Sequence, residues 1–201
     1  MDCLENREKE PEELEEFLLH GNFTGLNITI PYKKDVIKYC AELSPVAKKL
    51  GAVNTIVRKS DGTLIGHNTD YFGFRSLISH SRLCVNSKKV LVLGGGGSGR
   101  STAAALKKAG AEVYAYRRNR EELLEMCEQL GITPIDDPEM GGFDILINTT
   151  GVGMHDNVGV SPVDGRAFQG VETAVDLIYN PEKTAFLQLA EQSGAKILNG
   201  K

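Results

Sequence analysis

The sequence has few of the residues that build disulfide frameworks and metal sites. Its four cysteines, at positions 3, 40, 84 and 127, form no C-x-x-C pair and indicate free thiols in a reducing cytoplasm. The four histidines lack metal-ligand spacing, so we expect no metal. No apolar stretch approaches the roughly 20 residues that a membrane helix needs, and the acidic first residues contain no signal-peptide hydrophobic region. A net charge of −4 gives no electrostatic basis for binding nucleic acid or an anionic membrane.

The remaining composition is that of an ordinary globular protein. Of its 201 residues, 41% are hydrophobic and 25% are charged. A chain of this length forms one large domain or two small ones. A polar stretch at residues 79–88 marks a boundary, because strands and helices alternate regularly only after it. We therefore predict two domains, over residues 1–80 and 81–201.

Residue patterns predict a doubly wound parallel sheet in the second domain and a smaller α/β arrangement in the first. Strands separated by helices imply parallel pairing with right-handed crossovers. Strands of the second domain are predicted at 90–93, 112–116, 143–148, 173–178 and 195–198, and its helices at 97–109, 120–130 and 183–193. In the first domain, helices are predicted at 11–19, 33–42, 45–50 and through 72–78, and strands at 24–30, 52–58 and 63–66.

A glycine-rich turn separates the predicted strand 90–93 from the helix that follows it. Gly94, Gly96 and Gly99 have the G-x-G-x-x-G spacing of a dinucleotide site. One such glycine permits a tight turn, one lets the pyrophosphate approach the backbone, and one lets helix and strand pack closely. The free N–H groups and the dipole at the helix start favour phosphate. On spacing alone, a glycine-rich loop in another kind of α/β protein remains an alternative.

The end of the second strand of such a unit distinguishes NAD from NADP. An acidic residue there accepts the ribose 2′-OH, whereas arginine accommodates a 2′-phosphate. Here Tyr116 is followed by Arg117, Arg118 and, after an asparagine, Arg120, with no acidic residue. Guanidinium groups bind phosphate with two parallel hydrogen bonds, so the sequence favours NADP. A solvated basic helix start is the alternative, although arginine there opposes the helix dipole.

Polar residues of the first half are candidates for acid–base chemistry. Asn27 and Thr29 are predicted to share one face of a strand, and Asn54 lies in another predicted strand. Lys33 and Asp70 follow in separate loops. A lysine and an aspartate surrounded by amides and hydroxyls suit proton transfer on a polyhydroxylated small molecule. Each residue alone also fits an ordinary surface or turn role.

Six motifs follow one another along the chain: N-I-T-I-P-Y-K at 27–33, G-A-V-N-T at 51–55, G-H-N-T-D at 66–70, G-G-G-G-S-G-R at 94–100, N-T-T-G-V-G-M at 148–154 and V-D-L-I-Y-N-P at 175–181. In sequence and in order they resemble the motifs of the shikimate dehydrogenase family. The resemblance covers nearly the whole chain. It implies a Rossmann-type NADP-binding domain and a substrate-binding domain.

The resemblance also implies an activity and the residues that carry it. The family reduces 3-dehydroshikimate to shikimate with NADPH, reversibly, in aromatic amino-acid biosynthesis. Lys33 would be the catalytic lysine, with Asp70 as its partner. The implied substrate-binding residues are Asn27, Thr29, Asn54 and Tyr179. Including the arginines of the charge argument, the expected cofactor-binding residues are Gly94, Gly96, Gly97, Ser98, Gly99, Arg100, Arg117, Arg118, Thr150 and Met154.

The chain departs from the family pattern at its two ends and at two internal positions. Residues 1–10 contain no S-x-S motif, whose serines bind the substrate carboxylate in the family, and the chain ends before the family's G-x-x-M-L-x-x-Q segment. We therefore expect an incomplete substrate domain, low or absent turnover by this polypeptide alone, and a homodimer or a complementing chain. Tyr71 replaces the usual glycine after N-T-D and is expected to narrow the pocket. Residues 116–118 replace the usual N-R-T but keep an arginine at Arg117.

Three other functions remain open at this point. A quinate/shikimate dehydrogenase that uses NAD is disfavoured by Arg117 and Arg118. A non-catalytic NADP-binding fragment, or one part of a split assembly, would account for the missing motifs. A methyltransferase also uses a glycine-rich turn, but it would not need Lys33, Asn54 and Asp70.

Overall fold

The computed structural model describes residues 11–29 and 31–200, which fall into two units, one ending at His67 and one beginning at Asn68. The sequence predicted a boundary at residue 80. The units divide earlier because the helix at Asp70–Ser81 packs against the helix at Gly97–Lys108 within the second unit. In the part of the chain that the structure describes, no helix is long and apolar enough to cross a membrane.

The first unit contains a four-stranded sheet. Its elements are α1 (Pro11–His20), β1 (Gly25–Asn27), a 3₁₀ helix (Asp35–Tyr39), β2 (Glu42–Leu43), α2 (Pro45–Leu50), β3 (Thr55–Arg58) and β4 (Leu64–His67). The strand order is β1-β3-β4-β2, with β2 parallel to β4 and the other pairs antiparallel. The buried apolar core of this unit comprises Leu14, Leu18, Val36, Ala47, Val53, Ile56 and Leu64.

Two features of this unit follow from local signals in the sequence. Ser44 caps α2 by accepting a hydrogen bond from the Ala47 N–H at 3.3 Å, and Pro45 occupies the first helical position, where its missing N–H costs nothing. Asp61 accepts a hydrogen bond from the Thr63 N–H at 2.9 Å, and Gly62 adopts a positive φ of 88°, so β3 turns tightly into β4. Both features depend only on neighbouring residues.

Two predictions for residues 24–42 were wrong in extent. The strand predicted over 24–30 ends at Asn27 among the described residues, and residue 30 lies outside them. Thr29 begins a turn whose carbonyl accepts from the Tyr32 N–H at 3.0 Å, so Asn27 and Thr29 do not share a strand face. The helix predicted over 33–42 is only the 3₁₀ helix. It cannot continue because the Ala41 N–H donates to Leu64 O at 3.0 Å, drawing the chain into the sheet.

The second unit is a six-stranded parallel sheet flanked by helices. Its elements are α3 (Asp70–Ser81), β5 (Lys89–Leu93), α4 (Gly97–Lys108), β6 (Glu112–Tyr116), α5 (Arg120–Leu130), β7 (Thr133–Pro134), β8 (Ile145–Asn148), 3₁₀ helices at His155–Asn157 and Gly165–Phe168, β9 (Thr173–Asp176), α6 (Ala185–Gln192) and β10 (Lys196–Asn199). The strand order is β10-β9-β8-β5-β6-β7, and every pair is parallel.

This order confirms the predicted doubly wound α/β fold. Strands β8 and β9 are buried along their whole length, as expected for strands covered on both faces. The strand β7 was not predicted, because two residues carry no periodicity, and its Pro134 is tolerated at a sheet edge. The order reverses between β5 and β8, and in such sheets ligands bind at that reversal, outside the carboxyl ends of the strands.

Replacing Gly73 with alanine is expected to raise the free energy of unfolding by about 0.5–1 kcal/mol, because glycine inside a helix has excess backbone freedom when unfolded. Gly73 lies within α3, and no described atom lies within 4 Å of the position that an added Cβ would take. Gly170 is the matched control: its surroundings are equally open among described atoms, but its φ is +79°. Urea denaturation should therefore show stabilisation for Gly73→Ala and destabilisation for Gly170→Ala. Equal changes in the free energy of unfolding of the two variants would contradict this explanation by backbone conformation.

Candidate functional site: the glycine loop and the strand ends

The turn between β5 and α4 is fixed by two of its glycines. Gly94 has a φ of +110°, and its N–H donates to Tyr116 O at 2.9 Å. A Cβ at Gly94 would lie 2.7 Å from Thr149 Oγ1. A Cβ at Gly99 would lie 2.5 Å from Gly94 O, so only glycine lets α4 approach β5 this closely. These are the tight turn and the close packing that the sequence predicted.

Gly96 differs from the other two because it faces open space. No described atom lies within 4 Å of the position that a Cβ at Gly96 would take, and the backbone of Gly96 is extended. The fold of the protein therefore does not require glycine at this position. Gly96 is the N-cap of α4, and Gly97, Ser98 and Gly99 form the first turn. The backbone N–H groups of a first helical turn have no acceptor within the helix. The arrangement therefore fits a pyrophosphate that approaches the backbone at Gly96.

The end of β6 supplies positive charge beside this loop. The Arg117 guanidinium donates to Gly95 O at 3.3 Å and forms an ion pair with Glu122. Arg118 is exposed. Arg120 pairs with Asp136 at 2.6 Å. Because Arg117 contacts the glycine loop itself, the residues here fit NADP, and binding of the ribose phosphate by Arg117 stays a prediction.

The contacts of Arg100 within the protein account for an arginine at this position without a cofactor. Its side chain is only 1% exposed, although it was predicted to bind cofactor from its motif. The guanidinium donates to Gln129 and, at 3.3 Å, to Glu125 Oε1, so it links α4 to α5. Because the side chain is enclosed between these helices, we assign Arg100 a role in helix packing, and a cofactor contact remains only a prediction.

The loop after β8 carries the predicted residues Thr150 and Met154. Asn148, fully buried at the end of β8, accepts hydrogen bonds at Oδ1 from the Thr150 N–H at 3.0 Å and from Thr150 Oγ1 at 2.7 Å. Thr150 Oγ1 in turn accepts from the Val152 N–H at 3.1 Å. Met154 is 44% exposed. The loop is thus held from inside by Asn148 while Met154 stays accessible.

Asp176, at the end of β9, is the functional candidate that sequence reasoning missed. Its fully buried carboxylate accepts hydrogen bonds from Asn148 Nδ2 at 3.2 Å, from the Ile178 N–H at 3.0 Å and from Thr184 Oγ1 at 2.6 Å. Burial raises the pKa of Asp176, while these hydrogen bonds act in the opposite direction. The signal was present: Asn148 and Asp176 are polar residues that end otherwise apolar strands. Tyr179, three residues after Asp176, is 65% exposed.

The predicted residues of the first unit lie around two backbone hydrogen bonds. The Val53 N–H donates to Lys33 O at 2.8 Å, and the Ile28 N–H donates to Asn54 O at 2.7 Å. Asn54 is buried, and its Oδ1 accepts from Thr55 Oγ1 at 3.0 Å. Asn27 pairs with Thr55 in the register of β1 and β3. The first and second motifs are therefore neighbours, and Lys33 is half-buried beside them.

Asp70 belongs to the second unit, together with the glycine loop. It is the first residue of α3 and is half-buried. The preceding Asn68 is buried, and its Oδ1 accepts from the Tyr71 N–H and from Ser101 Oγ, each at 3.2 Å. The single hydroxyl hydrogen of Ser101 is shared with Gly97 O, which lies 2.8 Å from Oγ in the first turn of α4. Asn68 therefore links the start of α3, which carries Asp70, to the start of α4.

Tyr71, the bulky residue next to Asp70, packs on its own helix. Its ring meets the Phe72 ring edge-on at a centroid distance of 5.2 Å, and the Arg75 guanidinium lies 5.8 Å from its centroid. These contacts account for the tyrosine within α3. The predicted narrowing of a pocket remains a prediction.

Comparisons with known proteins agree with the fold and with the family that the motifs resemble. Residues 3–56 match the family model of the shikimate dehydrogenase substrate-binding domain. The NADP-dependent shikimate dehydrogenase of Caldicellulosiruptor bescii is 43% identical over 185 residues, which cover 88% of this chain and 64% of that protein. The corresponding enzyme of Dehalococcoides mccartyi strain 195 is 38% identical, covering 94% of this chain and 71% of that protein. The chain thus spans about two thirds of the length of these curated relatives.

Solved structures show the same likeness. Shikimate dehydrogenase 1 of Peptoclostridium difficile superposes with a TM-score of 0.84 at 34% identity, covering 98% of this chain and 72% of that one. The Thermus thermophilus enzyme, solved with NADP(H) and shikimate, gives a TM-score of 0.81 at 34% identity, covering 94% and 71%. A quinate dehydrogenase of Corynebacterium glutamicum, solved with NAD, gives 0.82 at 28% identity, covering 100% and 76%. The chain belongs to the shikimate dehydrogenase family.

Proposed function

We propose that this chain catalyses the NADPH-dependent, reversible reduction of 3-dehydroshikimate to shikimate, a step of aromatic amino-acid biosynthesis. The observation that carries the proposal is the glycine loop, where the backbone is open at Gly96 and Gly95 O accepts a hydrogen bond from Arg117. Arg117 follows the strand end at which an NAD enzyme would have an acidic residue. The six family motifs and the relatives named NADP-dependent shikimate dehydrogenase support the substrate.

The proposed chemistry assigns one task to the cofactor and one to each of the named side chains. When bound, NADPH would supply a hydride to the ketone carbon of the substrate. The Lys33 ammonium stabilises the negative charge that develops on the ketone oxygen and donates a proton to it. Asp70 is the proposed second member of this acid–base pair. Hydrogen bonds to the ring hydroxyls are proposed for Asn27, Thr29, Asn54 and Tyr179, whose amide, hydroxyl and phenol groups both donate and accept.

The test is the oxidation of shikimate by the purified chain, followed by the absorbance of NADPH. Wild-type protein is expected to form NADPH slowly with NADP⁺ and shikimate, in keeping with the low turnover expected of this polypeptide alone, and to form NADH more slowly still with NAD⁺. Formation of NADH from quinate at a higher rate would instead support the quinate dehydrogenase alternative, which one structural neighbour represents. Stabilisation by NADP⁺ in a thermal-shift assay, without any response to shikimate, would support a cofactor-binding protein without turnover.

Arg117→Gln is expected to weaken NADP⁺ binding by about tenfold or more, since a hydrogen bond to a charged group contributes roughly 1.5–3 kcal/mol. The dissociation constant of NAD⁺, which lacks the 2′-phosphate, should stay within about twofold of wild type. Arg120→Gln is the matched control, because Arg120 pairs with Asp136, whereas Arg117 also donates to the glycine loop at Gly95 O. Calorimetric titration measures both constants. Equal losses for NADP⁺ and NAD⁺ in Arg117→Gln would contradict a phosphate contact.

The proposal extends to location and assembly. Cys40, Cys84 and Cys127 are free thiols, while Cys3 lies outside the described residues, and we propose a cytoplasmic location on that basis. Among the described strands, β1 pairs only with β3. We propose that the chain works as a homodimer or with a complementing chain, and light scattering after size-exclusion chromatography tests this: a monomer active on its own would refute it.

A further inference from the structure

A buried polar network joins the carboxyl ends of β8 and β9, and the proposed chemistry assigns it no task. Its members are Asn148 and Asp176, both fully buried, and Thr184, 1% exposed at the N-cap of α6. Buried polar groups are costly unless they are hydrogen-bonded. A purely structural strand end would carry apolar residues like those preceding Asn148 and Asp176, so the network requires an explanation.

The hydrogen bonds to the Asp176 carboxylate all come from donors. Thr184 Oγ1 accepts from the Leu187 N–H at 3.3 Å, so its own hydrogen is free to be donated to Asp176 Oδ2 at 2.6 Å. Asn148 Nδ2 lies 3.2 Å from each carboxylate oxygen, and the Ile178 N–H reaches Oδ1 at 3.0 Å. Every neighbour therefore donates, and an ionised carboxylate satisfies them all without a conflict.

The network controls two loops at once. Asn148 holds the loop after β8, because its Oδ1 accepts from Thr150 and its Nδ2 donates to Val152 O at 3.3 Å. Asp176 holds the loop after β9 through the Ile178 N–H, immediately before the exposed Tyr179. The bond between Asn148 and Asp176 makes the shape of one loop depend on the other.

The strand order places both loops on one side of the cofactor site. A dinucleotide lies across the carboxyl ends of the strands, with its pyrophosphate at the glycine loop, here between β5 and α4. The ribose phosphate belongs on the β6 side, where Arg117 contacts the glycine loop. Because β8 and β9 lie on the other side of β5, the nicotinamide half belongs beside the two loops that Asn148 and Asp176 hold.

We propose that Asp176 is a positioning residue whose carboxylate, through Asn148, Ile178 and Thr184, holds the two loops in the shape that receives the nicotinamide half of NADP. This inference rests on the cofactor part of the proposed function. It assigns Asp176 no contact with the cofactor or substrate. Its effect is exerted through Thr150, Met154 and Tyr179, the loop residues predicted to face the ligand.

The test compares two nucleotides that share the adenosine half. Asp176→Asn keeps the side-chain shape but turns an acceptor into a donor that faces Asn148 and Thr184. In calorimetric titrations the variant is expected to bind NADP⁺ at least about fivefold more weakly than wild type, a loss near 1 kcal/mol. Adenosine 2′,5′-bisphosphate, which lacks the nicotinamide half, should bind unchanged. Thr173→Val, at the amino end of the same strand, is the control expected to alter neither constant.

A second pair of variants covers the case in which Asp176→Asn does not fold. Thr184→Val removes the hydroxyl that donates to Asp176, whereas Thr184→Ser keeps it, so only the valine variant should lose affinity for NADP⁺ selectively. In the same proteins, hydrogen exchange at the Ile178 and Val152 amides should accelerate for Asp176→Asn and Thr184→Val.

The outcomes separate this inference from the proposed function. Equal weakening of both nucleotides, or no change in either, would overturn the positioning role. Selective loss of NADP⁺ affinity supports it even if the wild-type chain fails to oxidise shikimate, which would refute the proposed activity alone. Wild-type protein that binds neither nucleotide overturns both.

Discussion

Lys33→Ala is expected to lower kcat for shikimate oxidation by about 10²–10⁴-fold, the usual contribution of a positioned acid–base group. In the proposed reaction, the ammonium stabilises charge that develops on the substrate oxygen in the transition state and transfers a proton to it. The Lys33 carbonyl is held by the Val53 N–H at 2.8 Å, and the side chain is half-buried beside the second motif. Alanine keeps the backbone bond and removes the ammonium together with the aliphatic chain that carries it, so the dissociation constant of NADP⁺ should not change.

Lys34→Ala is the matched control for this experiment. Lys34 is the adjacent lysine and precedes the 3₁₀ helix without a side-chain capping bond to that helix. Its replacement should leave kcat within about twofold, since substitutions away from a site have small effects. Steady-state rates, denaturation midpoints and NADP⁺ titrations on both variants separate chemistry from folding and cofactor binding. Equal rates in wild type and Lys33→Ala would exclude Lys33 as the catalytic group.

The fold of the second unit could be predicted well from the sequence because its signals are local. Central parallel strands such as β5 are short apolar runs, and the glycines stand directly between a strand and a helix. At the end of β6, the absence of an acid and the presence of Arg117 are likewise visible in adjacent residues. The geometry around Gly94 and Gly99 shows why two of these glycines serve the fold. Gly96 remains free to serve a ligand.

The features that the sequence did not predict have a different origin, because they depend on residues far apart in the chain. The 3₁₀ helix ends where Ala41 is drawn to β4, and the sequence did not predict the contacts of Arg100 with Gln129 and Glu125 of α5. The Asn148–Asp176 bond links strands 28 residues apart and has no local pattern beyond a polar strand end. Propensity and periodicity describe neighbours within one element, so they do not report a hydrogen bond between two strands or a side chain buried between two helices.

Gly96→Ala is expected to weaken NADP⁺ binding by about tenfold or more, because the added methyl group occupies space where a phosphate would meet the backbone. Before binding, that space contains no described atom within 4 Å, and the extended backbone of Gly96 suits any residue. The free energy of unfolding should therefore fall by less than about 1 kcal/mol, reflecting only that alanine is a poorer N-cap than glycine. Titration with NADP⁺ and urea denaturation measure the two quantities.

Gly99→Ala provides the contrast that makes this result interpretable. Its Cβ would lie 2.5 Å from Gly94 O and 2.9 Å from Gly94 C, backbone atoms that cannot move aside like the end of a side chain. We expect a loss of about 1–3 kcal/mol in stability, the usual cost of overpacking, together with weaker NADP⁺ binding. A loss of binding without a loss of stability is thus specific to Gly96. If Gly96→Ala binds NADP⁺ as tightly as wild type, the phosphate does not lie against Gly96, and the cofactor site must be placed elsewhere in the second unit.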